Sequence, residues 1–590
     1  MRWLVLRPSP GRWPLAARVA VSTAITAGVG WAAGDIGAGL IATLGVFTAD
    51  YGTDRPYANR GIQSAIIAVA LAAAVTVGAW AAALTWLAVA GVSVVAVLAV
   101  WLCAALRVGP PGGYMFVVVC AAGIGVSASH LTPWQIGLLV LGGGATAWLA
   151  QMSAAIADPR GPEKKAVSAA GAAVAVYLRA TGTPAAALAR QRAAESLSQA
   201  WETLVDHQPA FARSAGALSR LRDANHALHV LFAEAMAAAA RGRPTPATSA
   251  DLAWAIGALE ADPAVVIGPD RSRPPLPPVA VPVKLAESLR RGSHSRRVMV
   301  RVAVAAPLAG ALAAGFGVGH AYWAMAAAVL VLHQGVHLVA TLQRGAERVI
   351  GTLVGLGFAA LILVLHPQGW WLIAVVAGLQ FCIEMYIVAN YALATMFITA
   401  IALTISSGTH RVDIAALILD RGLDTVLGCG IGVLVYLTLA RRQEASRVHA
   451  AIAEVLARTA TATEFLARNS PRSIPARSAR RALQDSIFAL DAADDAARHG
   501  SRSDRAAATR LAAVTAATEH LGYATVAGCW AAEQCGSGIF GGADPGAYLA
   551  LLRRLADSIE RVEPAATDSE LPPFAASEAR DLLAAVRGLR

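Results

Sequence analysis

The chain alternates between two long apolar regions and two polar ones. Residues 15–155 and 300–440 carry almost no charge, whereas residues 157–297 and 441–590 are rich in arginine, aspartate and glutamate. An α-helix needs about 17–25 apolar residues to cross about 30 Å of hydrocarbon. The apolar regions divide into runs of this kind, which predict twelve membrane spans, with ten or eleven as the alternative because several runs are short. The predicted spans lie near 15–33, 37–52, 62–83, 86–106, 114–130, 134–152, 300–318, 321–341, 348–366, 370–385, 388–406 and 415–439.

The two apolar regions share one pattern. Gly39–Asp50 leads into a polar loop that ends at Arg60, and a second apolar run follows at once. Tyr322–Leu338 leads in the same way into a polar stretch that ends at Arg348, before another apolar run. Superposing Arg60 on Arg348 aligns the flanking apolar segments. The pattern predicts a duplicated membrane block, a plan in which internal repeats commonly frame a site near the bilayer midplane.

The polar regions predict helices, because they are rich in alanine and their apolar residues recur at intervals of three and four. The proline-rich stretch at 274–282 predicts an extended, semi-rigid spacer. Helical scaffolding or a dimer contact is favoured over a catalytic bundle, since no Glu-x-x-His pattern occurs. The predicted helices are 163–181, 184–207, 211–241, 444–468, 474–498, 503–532, 544–562 and 574–589.

The predicted fold class is an all-α polytopic membrane protein with two six-helix blocks, each followed by a cytoplasmic helical region. The predicted domains are 1–156 (first membrane block), 157–297 (cytoplasmic region with linker), 298–441 (second membrane block) and 442–590 (C-terminal cytoplasmic bundle). Glycines four residues apart, such as Gly351 and Gly355, predict close packing of helices within a block.

Charge gives the orientation. Arginine and lysine cluster at alternate ends of the predicted spans, which places both termini and both polar regions in the cytoplasm. The net charge of +11 and the isoelectric point of 9.7 fit contact with anionic lipid head groups, so no nucleic-acid partner is needed to explain them.

Several kinds of chemistry lack their motifs. The six cysteines form no C-x-x-C or Cys/His pattern, so neither a metal site nor a disulfide framework is expected. No phosphate-binding G-x-x-x-x-G-K-[ST] loop and no G-x-S-x-G nucleophile elbow occur. We therefore expect no cofactor, no catalytic residues and no ATP-driven transport by this chain alone.

Four short stretches carry a family resemblance. They are Tyr322-Trp323-Ala324, Gln343-Arg344-x-x-x-Arg348-x-x-Gly351-Thr352, Asn390-Tyr391-Ala392-Leu393-Ala394 and Asp420-Arg421-Gly422-Leu423-Asp424-Thr425-Val426-Leu427-Gly428. Their order resembles the signature of fusaric acid resistance (FUSC-type) membrane proteins. The resemblance is good over 297–440 and looser over 15–155, where the R-x-x-D-T element has no counterpart. It implies inner-membrane export of small aromatic or other organic acids, and a distant kinship with plant malate channels implies passage of an organic anion.

The predicted substrate-binding residues follow from these motifs. Charged groups at membrane depth usually face a bundle interior or a water-filled cavity. We therefore expect an anion site, with snorkelling to lipid head groups as the alternative for the first two arginines. The residues are Arg344, Arg348, Arg421, Tyr391 and Asn390.

A second group of polar residues is predicted to couple transport or to serve structure. Asp424, three residues after Arg421, pairs with it in the structural interpretation, while the functional interpretation makes Arg421 an anion site. His333 and His337 are predicted to share one helix with Arg344 and to form a stripe along the path. The coupling or structural candidates are Asp424, Glu347, Glu384, His333 and His337.

The function predicted from the sequence is export of small organic anions. Two alternatives stay open at this point: an organic-anion channel, and a non-transporting scaffold that recruits envelope machinery. The expected partners are membrane lipids and the anion, with assembly of several copies of the chain as an option.

Overall fold

The chain is helical throughout the part that the computed structural model describes. Within these residues no strand occurs, which confirms the predicted all-α class. The described residues are 11–127, 130–208, 216–268, 276–277, 279–290, 293–317, 320–334, 338–409, 414–440, 444–535, 539–557 and 571–589.

The first apolar region forms six helices and one 3-10 segment. They are α1 (Trp13–Ala32), α2 (Ile36–Ala42) continued by the 3-10 helix Thr43–Asp50, α3 (Tyr57–Ala81), α4 (Thr85–Ala105), α5 (Tyr114–Gly125) and α6 (Pro133–Met152).

The polar region that follows is built from shorter helices. They are α7 (Ala154–Ala157), α8 (Gly161–Ala180), α9 (Ala186–Trp201) extended by a π-helix over Glu202–Asp206, the 3-10 turn Gly216–Leu218, α10 (Ser219–Ala240), α11 (Ala247–Gly257) and α12 (Ala264–Ile267).

The second half repeats the order of apolar helices before polar ones. Its helices are α13 (Val281–Ser288), α14 (His294–Gly315), α15 (Ala321–Gln334), α16 (Leu338–Val364), α17 (Trp370–Tyr386), α18 (Tyr391–Thr409), α19 (Ile414–Ala440), α20 (Glu444–Ala467), α21 (Ile474–Arg498), α22 (Arg502–Cys535), α23 (Pro545–Asp557) and α24 (Ala576–Arg587).

An apolar helix forms at each of the twelve predicted spans. Seven of these helices in the described residues are long and apolar enough to cross a membrane, and five are shorter. The chain is thus a multi-pass membrane protein. The duplication of the two blocks stays a prediction.

The helices group into two compact units. The membrane unit comprises Met1–Thr53, Asn59–Pro159 and Val279–Arg441, and the polar unit comprises Asp54–Ala58, Arg160–Pro278 and Arg442–Arg590. The four predicted domain boundaries stay predictions.

One hydrophobic core runs through the polar unit. It contains Val174 and Leu228 from the first polar region together with Ile452 and Leu511 from the second. A buried ion pair between Arg480 and Glu533, 2.7 Å apart, lies beside this core.

One local expectation is wrong. Pro282 lies in the first turn of α13, where its missing N–H costs nothing, and not in an extended spacer. Two other expectations fall partly outside the described residues. The span predicted over 321–341 contains α15 and the start of α16, with 335–337 not described, and the helix predicted over 211–241 contains α10, with 211–215 not described.

Glycines set the closest contact in the second block, as their spacing predicts. A Cβ added to Gly355 would lie 2.7 Å from the Met396 carbonyl oxygen and 2.9 Å from the Thr399 Cβ. A Cβ on Gly351 would meet the Ala392 carbonyl and Thr395 even more closely. α16 and α18 therefore touch along their backbones.

Candidate functional site

The site is built on one face of α16. Arg344, Arg348 and Thr352 follow one another at intervals of four residues, so they share a face, and each step rises about 6 Å along the helix. Arg348 is only 6% exposed. Its Nε and Nη1 groups have no hydrogen-bond partner among the described residues. Buried donors without partners are costly and rare in folded proteins, so Arg348 is a strong candidate for binding a ligand.

Arg60 occupies the matching sequence position in the first block and shows what Arg348 lacks. Arg60 is equally buried on α3. Its Nε donates to the Gly52 carbonyl oxygen over 2.7 Å, and its Nη2 donates to the Thr53 carbonyl oxygen. One arginine therefore holds its own loop in place, while the other keeps unused donors.

Aromatic rings cover two of the arginines. The Arg344 guanidinium lies 4.3 Å from the ring centroid of Tyr391. The Arg421 guanidinium lies 3.4 Å from a ring centroid of Trp323. Such cation–π contacts stabilise a cation without cancelling its charge.

Arg348 and Arg421 share one electrostatic environment. They interact repulsively with each other, and both interact with Tyr114 at the start of α5. Tyr114 and Arg421 are each 6% exposed. Two buried cations in mutual range attract an anion, because each is expensive to bury without a counter-charge.

Asp424 does not form the ion pair expected with Arg421. No hydrogen bond or ion pair joins the two side chains in the described part of the chain, and Asp424 Oδ1 and Oδ2 have no hydrogen-bond partner there. Asp424 is 0% exposed. Stacking of Arg421 on Trp323 accounts for the difference, because it directs the guanidinium to the aromatic ring.

Hydroxyl groups complete the site. Thr352 Oγ1 and Thr395 Oγ1 are buried without hydrogen-bond partners among the described residues. Tyr391 Oη lies close to the Arg348 guanidinium but makes no hydrogen bond of good geometry with the described residues. Thr399 and Thr404 of the same α18 instead donate to carbonyls one turn earlier, over 2.9 and 2.8 Å. Thr352 and Thr395 therefore keep their hydroxyls for another partner.

Asn390 has a structural position beside the site. Its Oδ1 accepts a hydrogen bond of 3.1 Å from the Leu393 backbone N–H, which satisfies a free donor at the start of α18. The cap fixes the beginning of the helix and so positions Tyr391.

Glu347 and Glu384 lie among other polar partners. Glu347 accepts a hydrogen bond of 2.7 Å from Gln343 and pairs with Arg344 at 3.5 Å. Glu384 pairs with Arg12 at 3.3 Å and is in hydrogen-bond contact with Asp50. Two carboxylates in contact repel each other, and the Arg12 guanidinium offsets part of that repulsion.

The predicted histidine stripe stays a prediction. Among the described residues, His333 lies on α15 and Arg344 lies on α16. His337 lies outside the described residues. His333 packs against the loop before α5, where its ring hydrogen-bonds the Pro111 backbone and lies against Gly112. In the described ranges no cluster of three or more His, Cys, Asp or Glu side chains is arranged to hold a metal ion.

The sequence alone missed four members of this site: Tyr114, Trp323, Thr352 and Thr395. Trp323 and Thr352 lie within the family-like motifs, so the motifs could have identified them. Tyr114 and Thr395 gave none, because they reach the site only through packing of α5 and α18.

The arrangement suits a small anion that carries an apolar or aromatic body. Free guanidinium N–H groups form the strongest hydrogen bonds to carboxylates, hydroxyls add further donors, and the rings of Tyr114, Tyr391 and Trp323 offer apolar contact. These features define a multi-pass helical membrane protein with a buried cationic site.

Residues 308–435 match the fusaric acid resistance protein-like family. The second membrane block thus contains a domain of that family, which confirms the resemblance of its motifs. The chain is also 35% identical over 142 residues to "Uncharacterized membrane protein YvaC" of Bacillus subtilis (strain 168). That match covers 24% of this chain and 22% of YvaC. No solved structure matches the chain.

Proposed function

We propose that this protein transports small organic anions across the inner membrane, in the direction of export. The observation that carries the proposal is Arg348, a buried arginine with two unused donors beside the second buried cation, Arg421. A protein does not keep two unpaired cations at membrane depth without a use for them, because burial of each charge costs several kcal/mol.

The site joins features that a carboxylate would use. Arg348 would supply two N–H groups, and Thr352, Thr395 and Tyr391 would supply hydroxyls. The aromatic rings favour a cargo that has an aromatic or aliphatic body over a bare inorganic ion. The family match of residues 308–435 supports a membrane protein of this type.

Flux into proteoliposomes tests the proposal. The purified protein would be offered a radiolabelled aromatic carboxylate and a dicarboxylate, with and without a pH gradient. Arg348→Gln removes the positive charge and the guanidinium N–H donors. We expect flux to fall at least about tenfold, because a hydrogen bond to a charged group contributes at least about 1.4 kcal/mol. Arg348→Lys keeps the charge and should retain part of the flux.

Arg18→Gln is the matched control. Arg18 lies in the same unit, and its Nε donates over 3.2 Å to the Pro14 carbonyl of its own helix. Its flux should equal that of the wild type. Equal flux in Arg348→Gln would contradict the assignment of the site. A correctly folded wild type that carries neither probe would favour the scaffold alternative.

A further inference from the structure

A buried carboxyl group lies on the same helix as Arg421 and takes no part in the anion site described above. Asp424 is fully buried on α19, and neither of its oxygens has a hydrogen-bond partner in the described part of the chain. The neighbouring polar side chain on this helix does have a partner, since Thr425 Oγ1 donates to the Arg421 carbonyl oxygen over 2.8 Å. Asp424 thus stands out as an unpartnered group at membrane depth.

The charged and titratable groups around Asp424 come from three helices. On α19 itself, Arg421 attracts its negative form and Asp420 opposes it. On α15, Tyr322 interacts with it electrostatically. On α16, Arg348 repels Arg421.

Two further groups belong to the surroundings of α19. Asp420 is held by His320, whose Nδ1 lies 3.1 Å from Asp420 Oδ2. On α14, Arg301 lies over the ring of Tyr436, three turns further along α19 than Asp424. Arg421 is thus the nearest cation for an ionised Asp424.

The protonation of Asp424 decides how much positive charge the site offers. An ionised carboxylate without hydrogen bonds is very costly in a buried place, so the surroundings of Asp424 favour the neutral acid. When Asp424 is neutral, Arg421 and Arg348 keep their full charge for an anion. When it loses the proton to water, its negative charge offsets that of Arg421 one helical turn away.

We propose that Asp424 is the proton-binding group of the anion site, and that it holds a proton when the arginines bind the anion. This inference rests on the proposed function and names its coupling. Proton and anion then favour each other's binding by the same factor, as reciprocal linkage requires. Binding of the anion should be tight at low pH and should weaken by about tenfold for each pH unit above the titration of Asp424.

Infrared spectroscopy tests the protonation without any transport. The wild-type protein at neutral pH should show a carboxylic-acid carbonyl band that is smaller in Asp424→Asn. Asp420→Asn is the matched control, since Asp420 is on the same helix but bound to His320, and it should leave the band unchanged. A spectrum of Asp424→Asn identical to that of the wild type overturns the inference.

Calorimetry tests the coupling. Anion titrations of the wild type at a pH above the titration of Asp424, in two buffers of different ionisation enthalpy, should show uptake of one proton per anion. Asp424→Asn mimics the neutral acid, so its affinity should be equal at mildly acidic and mildly alkaline pH, with no proton uptake. Anion binding to the wild type without proton uptake overturns the coupling but leaves the transport proposal standing. Failure of the anion to bind at all contradicts the transport proposal and the coupling together, whereas the infrared result still reports the proton.

Discussion

At the scale of single residues, function depends on which polar atoms lack partners, and sequence indicates this only in part. Arg60 and Arg348 occupy matching places in the two blocks, and the sequence treats them alike. The structure separates them, because a loop carbonyl lies within reach of Arg60 while Arg348 faces other side chains. The motifs were enough to select Arg344, Arg348, Arg421 and Tyr391. They were not enough to show that Arg421 stacks on Trp323 in place of pairing with Asp424.

Gly351 gives a prediction at this scale. A Cβ at Gly351 would overlap the Ala392 carbonyl and lie 2.7 Å from the Thr395 Cβ, and the backbone cannot yield without parting α16 from α18. We expect Gly351→Ala to destabilise the protein by about 1–3 kcal/mol, the usual cost of overpacking, and to weaken anion binding. Thermal unfolding in detergent would measure the first effect.

Gly357→Ala is the control on the same helix. No atom lies within 4 Å of a Cβ at Gly357, so this change should be neutral or stabilise by up to about 1 kcal/mol. Equal unfolding temperatures for the two variants would contradict the close contact of α16 and α18.

At the scale of elements, periodicity located nearly all of the helices that the structure has. It placed α20 and α21 within a residue of their ends. It missed α11 and α13, since short helices leave too few apolar repeats to recognise.

The long helix α22 gives a prediction that depends on pH. Burial, followed by the negative charge of Asp491, raises the pKa of Glu519 to about 7 from its ordinary value of 4.5. The folded state therefore holds this proton more tightly than the unfolded state does. The stability that it contributes is present below about pH 4.5 and is lost as the pH rises through about 7.

Glu519→Gln removes this dependence. At about pH 8 the variant should be more stable than the wild type, on the order of 1–3 kcal/mol, and near pH 4 the two should be alike. Hydrogen exchange of the α22 amides in the whole protein would measure this difference in stability. Glu454→Gln is the control, since that side chain is 52% exposed on α20 and should change exchange little at either pH. If the α22 amides of Glu519→Gln exchanged more slowly than those of the wild type only at low pH, the result would contradict the prediction.

At the scale of the whole molecule, the sequence predicted the alternation of apolar and polar regions but not how the polar ones combine. Each was expected to be a bundle of its own. The structure brings both into one unit with one core, where His229 of the first region packs on Trp530 of the second at 5.1 Å between ring centroids. Burial lowers the pKa of His229 to about 3, so this contact is made by a neutral ring. Pairing of helices from distant parts of the chain leaves no periodic signal, which is why sequence reasoning missed it.

The shared core of the polar unit predicts an even number of membrane crossings between its segments. Residues 54–58, 160–278 and 442–590 belong to one compact unit, so we expect them to lie on one face of the bilayer. This expectation predicts an even number of crossings between 58 and 160, where three helices are long enough to cross: Tyr57–Ala81, Thr85–Ala105 and Pro133–Ala157. We therefore expect Tyr114–Gly125, only about 18 Å long, to supply the fourth crossing.

Cysteine labelling can count these crossings. Gly109→Cys and His130→Cys, in a chain whose six native cysteines are replaced, should react with a membrane-impermeant reagent from opposite faces. Reaction of both cysteines from the same face would contradict a crossing by Tyr114–Gly125. A twelve-residue helix can cross only where protein and not lipid surrounds it, and Val117 and Cys120 at its centre are fully buried. The shortest expected crossing of the first block is therefore the one that begins at Tyr114, which interacts electrostatically with both buried arginines.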